Sequence, residues 1–246
     1  MQGETLFISD LHLDAEHPQI QQQFIEFLRQ DARGSDALYI LGDLFEAWLG
    51  DDDDNSHHRK TIDNIKQLSD QGTPVFIQHG NRDFLIGKPF EKMSGSTLLT
   101  DPFILDLYGQ KVMLMHGDLL CSDDVEYQSF RQQVRNPEWQ KQILQLPLDS
   151  RRELAKDLRE KSRQQTQGKA EEIMDVTQST VNRYMRDNHV HILIHGHTHR
   201  PKIHEWQLDG SITKRIVLGD WYSQGSVLRW NKTGYQLEAL PRIESN

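Results

Sequence analysis

Five short motifs hold most of the side chains in this chain that could do chemistry. They are Asp10-Leu11-His12, Gly42-Asp43, Gly80-Asn81-Arg82-Asp83, His116-Gly117-Asp118 and His195-Gly196-His197-Thr198-His199. Together they offer two aspartates, one asparagine and four or five imidazoles, roughly the donors that hold two divalent cations side by side. Asp10 and His12 alternate about Leu11, so an extended segment would turn both to one side. Asp43 follows Gly42, whose missing side chain lets a backbone or an ion come close. Its two carboxylate oxygens suit Asp43 to bridge two cations. Asn81, on a turn led by Gly80, adds a neutral carbonyl donor, and His116 closes a strand-like run. His195, His197 and His199 alternate over five residues; an extended run would send all three to one side, and a turn at Gly196 would spoil that. Packed imidazoles repel when protonated but suit a cation. The chemistry expected is that of a dinuclear metallohydrolase acting on phosphorus.

These motifs need elements to bring them together, and the sequence supplies a regular set. Strand-like runs occur at Thr5–Ser9, Ala37–Leu41, Pro74–Gln78, Lys111–Met115 and Val190–Ile194, each short and apolar enough to be buried on both faces. Ile20, Phe24, Phe27 and Leu28 have helical spacing between the first two runs, and Ile62, Ile65 and Leu68 repeat it before the third. Gly72 and Pro74 stop that second helix. Strand and helix alternate as βαβ units, which place ligands at the carboxyl ends of the strands. The candidate donors follow strand after strand at that end. From about Val125 to Arg183 the texture turns long, polar and helical, with Trp139, Ile143, Leu144, Leu146 and Leu148 as its apolar cluster. It is expected to be an insertion in one domain spanning 1–246. Beyond Arg200, Lys202–Leu208 and Ser211–Leu218 read as a hairpin, and Val227–Trp230 and Tyr235–Leu240 as two more strands.

Composition narrows the class. The chain has 246 residues, 36% hydrophobic, with a formal charge of −9 and a mean hydropathy of −0.71. It can bury a sizeable core but has no run long enough to cross a membrane, and its first residues lack a signal-like apolar segment. The acidic balance argues against nucleic acid as a partner. With one cysteine and twelve histidines, any metal sits on nitrogen and oxygen donors. Cys121 reads as a small buried apolar residue. Asp51–Asp54 lacks the alternation of a calcium loop and is expected to be a solvated loop beside the site. Between Arg151 and Lys169 seven basic residues face three acids, +4 locally; such a segment fits a solvated, ion-paired helix or an anionic partner surface.

The ordered motifs resemble the calcineurin-like metallophosphoesterases, whose blocks run D-x-H, GD, GN-H-[DE], a lone H and GH-x-H. The resemblance implies an α/β fold of four-layer type, two packed mixed sheets flanked by helices with the metals at one edge. One metal would take Asp10, His12, Asp43 and His199, and the second Asp43, Asn81, His116 and His197. The chain departs from the pattern at Arg82, where the superfamily has a histidine that assists loss of an alkoxide. Arginine donates no proton at neutral pH but clamps phosphate oxygens. That suffices when the leaving group is itself a phosphate, whose second pKa is about 6, so Arg82 points to a pyrophosphate substrate.

One branch matches over nearly the whole chain: the UDP-2,3-diacylglucosamine diphosphatases of lipid A synthesis. The shared runs include Thr5–Leu13, Ala37–Asp53, His79–Lys88, the segment ending at Cys121, Ile173–Val176 and Ile194–Pro201. Membership would imply hydrolysis at the α-phosphorus of UDP-2,3-diacylglucosamine, yielding UMP and 2,3-diacylglucosamine 1-phosphate. It would make the insertion a lid over the acyl chains. Asn81, Arg82 and His197 would then be catalytic, and Asp124, Ser162, Thr166 and Lys169 would touch substrate beside them. Thr166 stands where relatives carry asparagine. Asp83, Asp118 and His195 would orient the ligands, with substrate contact as the other role for His195. The cofactor implied is two divalent ions, manganese favoured, and the location is the cytoplasmic face of the inner membrane, held peripherally. A soluble pyrophosphatase of nucleotide sugars or dinucleoside polyphosphates is the alternative.

Overall fold

Strands buried on both faces need cover on both sides, and the sequence answers with two sheets and two helical layers. In the computed structural model, residues 3–166, 175–222 and 224–241 are described. Strands β1 (Thr5–Ile8), β2 (Ala37–Leu41) and β3 (Val75–Gln78) lie parallel in the centre of a six-stranded sheet. The short β4 (Thr97–Leu98) extends it at one edge. At the other, β10 (Gly225–Asn231) runs antiparallel to β1 and carries β11 (Gly234–Leu240). The second sheet holds β5 (Phe103–Leu107), β6 (Gln110–Met115), β7 (Ile192–His195), β9 (Ser211–Val217) and β8 (Lys202–Leu208), in that order. Both sheets are mixed.

Alternation along each strand builds the layers. Leu6 and Ile8 of β1 and Leu38 and Ile40 of β2 face helices α1 (Pro18–Gln30), α2 (Ser56–Asp70) and α3 (Lys88–Ser94) through Phe24, Ile65 and Phe90. Phe7, Tyr39 and Leu41 point the other way and meet Val112, Leu114, Ile192 and Ile194 of the second sheet. Met113, Met115 and Leu193 then face α7 (Gln178–Asp187) through Val181 and Met185. Each such fully buried large side chain contributes about 1.5–3 kcal/mol. The helix expected from Ile62, Ile65 and Leu68 starts where the Asn55 side chain accepts from His57 N.

The insertion comprises α4 (Val125–Val134), α5 (Pro137–Leu144) and α6 (Leu148–Thr166). It buries little of itself: Val134 alone in α4 and nothing in α5. The helical texture up to 183 is thus divided, because α7 belongs to the layer under the second sheet. α3, β4 and β5 have no counterpart in the sequence reading. β4 is two residues long, below any detectable period, and β5 is half-exposed.

The acidic run is a loop with Asp52 and Asp54 exposed, as expected, but it is also tied down on both sides. Asp51 accepts from Trp48 Nε1 at 2.9 Å and from the backbone N–H groups of Gly87 and Phe90 at the start of α3. Asp52 pairs with the buried Arg151, whose guanidinium also donates to Leu49 O at 2.7 Å. Asp53 pairs with Arg152 at 3.5 Å. The run is an anchoring loop for α6.

Candidate metal centre

The donors gather because the loops after β1, β2, β3, β6 and β7 all open at one end of the two sheets. Five of them sit in the left-handed region: Asp10, His12, Asp43, His197 and His199 have φ of 56°, 50°, 52°, 67° and 54°. A side chain there costs roughly 1–2 kcal/mol, and the surroundings hold it in place. Asp10 N donates to Gly42 O at 3.1 Å and His12 N to Asp43 O at 3.0 Å. The first motif is therefore no extended clip; Asp10 and His12 converge through a left-handed backbone at each of them. The glycines are fitted to this crowding. A Cβ on Gly80 would overlap Asp43 Oδ1 and its backbone N, and one on Gly196 would overlap the Asp10 carboxylate.

At His12, His116, Asp43 and Asp10, one atom is tied to the scaffold and another is left pointing inward. His12 Nδ1 meets Glu46 Oε2 at 2.8 Å, leaving Nε2 3.7 Å from Asp43 Oδ2 and 3.3 Å from His199 Nε2. His116 Nδ1 donates to Leu41 O at 2.9 Å, leaving Nε2 3.8 Å from Asp43 Oδ2 and 3.0 Å from Asn81 Oδ1. Asp43 Oδ1 accepts from Arg82 N at 2.8 Å. Asp10 Oδ2 accepts from Ser9 Oγ and His197 N, while Oδ1 is buried with no hydrogen-bond partner, 3.4 Å from His199 Nε2. His197 Nδ1 lies 3.0 Å from Asn81 Oδ1. Asp10, His12 and His199 thus present donors within 4.8 Å of one another, and so do Asp10, Asp43 and His116. Asp43 Oδ2 stands between His12 and His116. An orphaned buried carboxylate oxygen among imidazole nitrogens fits the binding of divalent cations of intermediate hardness.

The electrostatics agree. Burial opposes ionisation of Asp10, yet His199, His116 and His12 hold its carboxyl well below the usual range. Burial raises Asp43 despite His116 and His12. Burial also disfavours a charged His116, but Asp43, Asp118 and Asp10 outweigh it and lift its pKa to about 9. Burial and the neighbouring His116 push His197 down to about 4.

His195 does not join its two neighbours. Its ring is fully buried, with Nδ1 2.8 Å from its neighbour Gly196 O and Nε2 3.4 Å from Arg215. Burial and Arg215 lower its pKa to about 3, so it is a neutral brace behind the site. The Gly196 turn breaks the alternation that would have aligned three histidines. Asp83 braces as well, its oxygens accepting from Leu44 N and Gly80 N at 2.7 Å each. Asp118 accepts from Tyr127 OH at 3.0 Å and Arg131 Nε at 2.7 Å. Asp124 caps α4 by accepting from Tyr127 N. Lys169 and the side chains of Ser162 and Thr166 lie outside the described residues. Sequence reasoning missed Glu46, Ser9, Asp220 (3.6 Å from His199 Nδ1) and Tyr222, which stacks on His12 at 5.0 Å. Glu46, a lone acid in the apolar run Leu44–Trp48, was the one readable signal.

Beside the cluster opens a cavity of about 200 Å³, lined in part by Asn81 and Arg82 and by the charged Glu46, Glu126, Arg151, Arg159 and Lys161. Trp48, Leu85, Phe130, Trp139, Ile143 and Leu158 make its apolar walls, most of them from α4, α5 and α6. Arg82 Nε is buried there without a hydrogen-bond partner. Cys121 is buried too, and burial with nearby carboxylates raises its thiol to about 12, which favours the neutral thiol.

Residues 4–201 match the model of the calcineurin-like phosphoesterases. The chain belongs to that family. Among curated relatives of this phosphoesterase, a protein of Pseudomonas fluorescens is 52% identical over 235 residues, covering 96% of this chain and 94% of the relative. One from Salmonella arizonae is 52% identical over 96% of this chain and 99% of its own length. Both are named UDP-2,3-diacylglucosamine hydrolase. Among solved structures, an archaeal phosphodiesterase aligns with a TM-score of 0.50 at 13% identity over 96% of this chain and 99% of its own. Vacuolar protein sorting 29 of Cryptosporidium parvum aligns at 0.51 and 14% identity over 100% of this chain and 95% of its own. These two share the fold.

Proposed function

We propose that this phosphoesterase hydrolyses the pyrophosphate bond of UDP-2,3-diacylglucosamine in lipid A synthesis, by attack of water at the α-phosphorus. The products are UMP and 2,3-diacylglucosamine 1-phosphate. The observation that carries the reading is the apolar cavity whose wall includes Asn81 and Arg82. A phosphate seated on those two residues leaves the acyl chains to lie among Trp139, Ile143 and Leu158, under α4–α6 acting as a lid. The names of the relatives at 52% identity support the same substrate.

In this reading Asp10, His12, Asp43 and His199 hold one divalent cation, and Asp43, Asn81, His116 and His197 the other, with manganese preferred. Bound there, the two cations supply Lewis acidity and activation of a water at neutral pH. The chain does the rest. Asn81 and His197 flank the phosphate and, with Arg82, stabilise charge as it gathers on its equatorial oxygens. The unpartnered Arg82 Nε faces the departing sugar phosphate, which leaves as an anion and takes no proton from the enzyme. The lid walls exclude bulk water, which strengthens each of these interactions. Asp124, Ser162, Thr166 and Lys169 remain candidate contacts to the glucosamine phosphate. No described helix is long and apolar enough to cross a membrane. Peripheral docking at the inner membrane is supported by Val125, Leu144 and Leu146, exposed on the insertion. Three arginines of its basic segment are engaged internally by Asp52, Asp53 and Glu46.

Release of UMP from UDP-2,3-diacylglucosamine and from UDP-N-acetylglucosamine distinguishes this reading from a soluble nucleotide pyrophosphatase. With about 0.8 kcal/mol for each buried methylene, a few buried methylenes already make kcat/KM for the diacyl substrate at least a hundredfold higher. Comparable values for both would overturn the proposed substrate.

A further inference from the structure

Glu46 touches both the candidate metal centre and the insertion. Its Oε2 meets His12 Nδ1 at 2.8 Å, and its Oε1 lies 3.5 Å from Arg159 Nε of α6. Its backbone O accepts from Arg159 Nη2 at 3.3 Å. The carboxylate is only 15% exposed and the Arg159 side chain 40%, so solvent screens the pair from the arginine side alone. The loop that follows, residues 47–53, supplies Trp48 and Leu49 to the cavity wall and then holds α6 again through Asp52–Arg151 and Asp53–Arg152. Arg159 follows the adjacent pair Arg151 and Arg152 by seven and eight residues, about two turns, which returns it to their side of α6. Leu154, Ala155 and Leu158, set between them, line the cavity. The seat of α6 and the wall of the cavity are therefore one structure, and Glu46 is its joint to a metal-facing histidine.

We infer that Glu46 is a positioning residue coupling cation binding at His12 to the seating of α6 over the cavity. A cation on His12 Nε2 draws electron density from the ring and strengthens the Nδ1–H bond to Glu46, fixing the carboxylate where Arg159 meets it. Linkage makes the effect mutual: a seated α6 favours the cation as much as the cation favours a seated α6. The inference rests on the metal-centre reading above, and the test separates the two.

Mn²⁺ titration by calorimetry and amide hydrogen exchange along α6 are measured on the wild type, E46Q and R159L. Circular dichroism and thermal unfolding confirm that each variant is folded. Mn²⁺ slows exchange in α6 of the wild type, and neither variant shows that response. Mn²⁺ affinity falls about tenfold or more in E46Q, as for other groups supporting a metal-bound histidine. It falls about fivefold in R159L, the lower end of ordinary coupling, although Arg159 touches no metal-facing atom, and R159K restores most of it. Wild-type Mn²⁺ affinity and a retained α6 response in R159L would overturn the coupling, even with E46Q weakened. A wild type that binds no Mn²⁺ would overturn the metal centre itself and the inference with it.

Discussion

Asp101 sits where a carboxylate is costly, and replacing it with asparagine should stabilise the protein at neutral pH. Both its oxygens are buried without a hydrogen-bond partner, and Arg131 Nη2 approaches only to 3.8 Å. Arg131 is already committed to Asp118 at 2.7 Å. Burial, then the like charge of Asp118, raises the Asp101 pKa from 3.8 to about 6. Each tenfold change in proton affinity is worth about 1.4 kcal/mol, so ionised Asp101 costs about 2–3 kcal/mol in the fold. The sign follows: a carboxyl raised in the folded state supports folding below its unfolded pKa and loses that contribution as pH climbs through about 6. Asparagine keeps the shape without the charge. Urea unfolding of the chelator-treated protein should show D101N more stable than wild type by about 2 kcal/mol at pH 8 and equal at pH 4. An asparagine variant less stable at pH 8, or a difference independent of pH, would refute the reasoning.

Gly80→Ala forces a methyl into Asp43 Oδ1 and should abolish Mn²⁺ binding by calorimetry while the far-ultraviolet circular dichroism stays native. Leu158→Trp fills the cavity from α6 and should raise KM for a diacyl substrate at least tenfold; an unaltered KM would place the acyl chains elsewhere. Cys121→Ala should retain kcat within about twofold and lose roughly 1 kcal/mol of stability in urea, since the thiol at about 12 is packing. Because His116 in the metal-free chain stays protonated to about 9, Mn²⁺ must displace a proton, and its affinity should rise with pH between 6 and 9 in calorimetry.

The strands and the donor series were legible because both depend on local pattern. Thr5–Ile8, Ala37–Leu41 and Ile192–His195 are apolar on both faces, and a two-sheet fold is what such strands require. The donors' conformations were not legible. Left-handed φ at Asp10, His12 and Asp43 is imposed by hydrogen bonds between loops more than thirty residues apart, which no local spacing encodes. The histidine cluster misled in the same way: three alternate in sequence, but the turn at Gly196 sends His195 to Arg215 and leaves two facing the cluster. The anchoring role of Asp51–Asp54 was not legible because two of its partners, Arg151 and Arg152, lie about a hundred residues away. Glu46 was hidden for a similar reason. Its meaning comes from His12 and Arg159, neither of them its neighbour in sequence.

In the proposed function, seven convergent side chains hold two divalent cations for cleavage of a lipid-linked nucleotide pyrophosphate. That reading is tested most directly by UMP release from UDP-2,3-diacylglucosamine after chelation, with and without added Mn²⁺, on the wild type and Asp43→Ala. The account predicts no turnover after chelation, full recovery with Mn²⁺ in the wild type, and none in the folded Asp43→Ala variant. Turnover that survives chelation, or a wild type that Mn²⁺ does not restore, would contradict it.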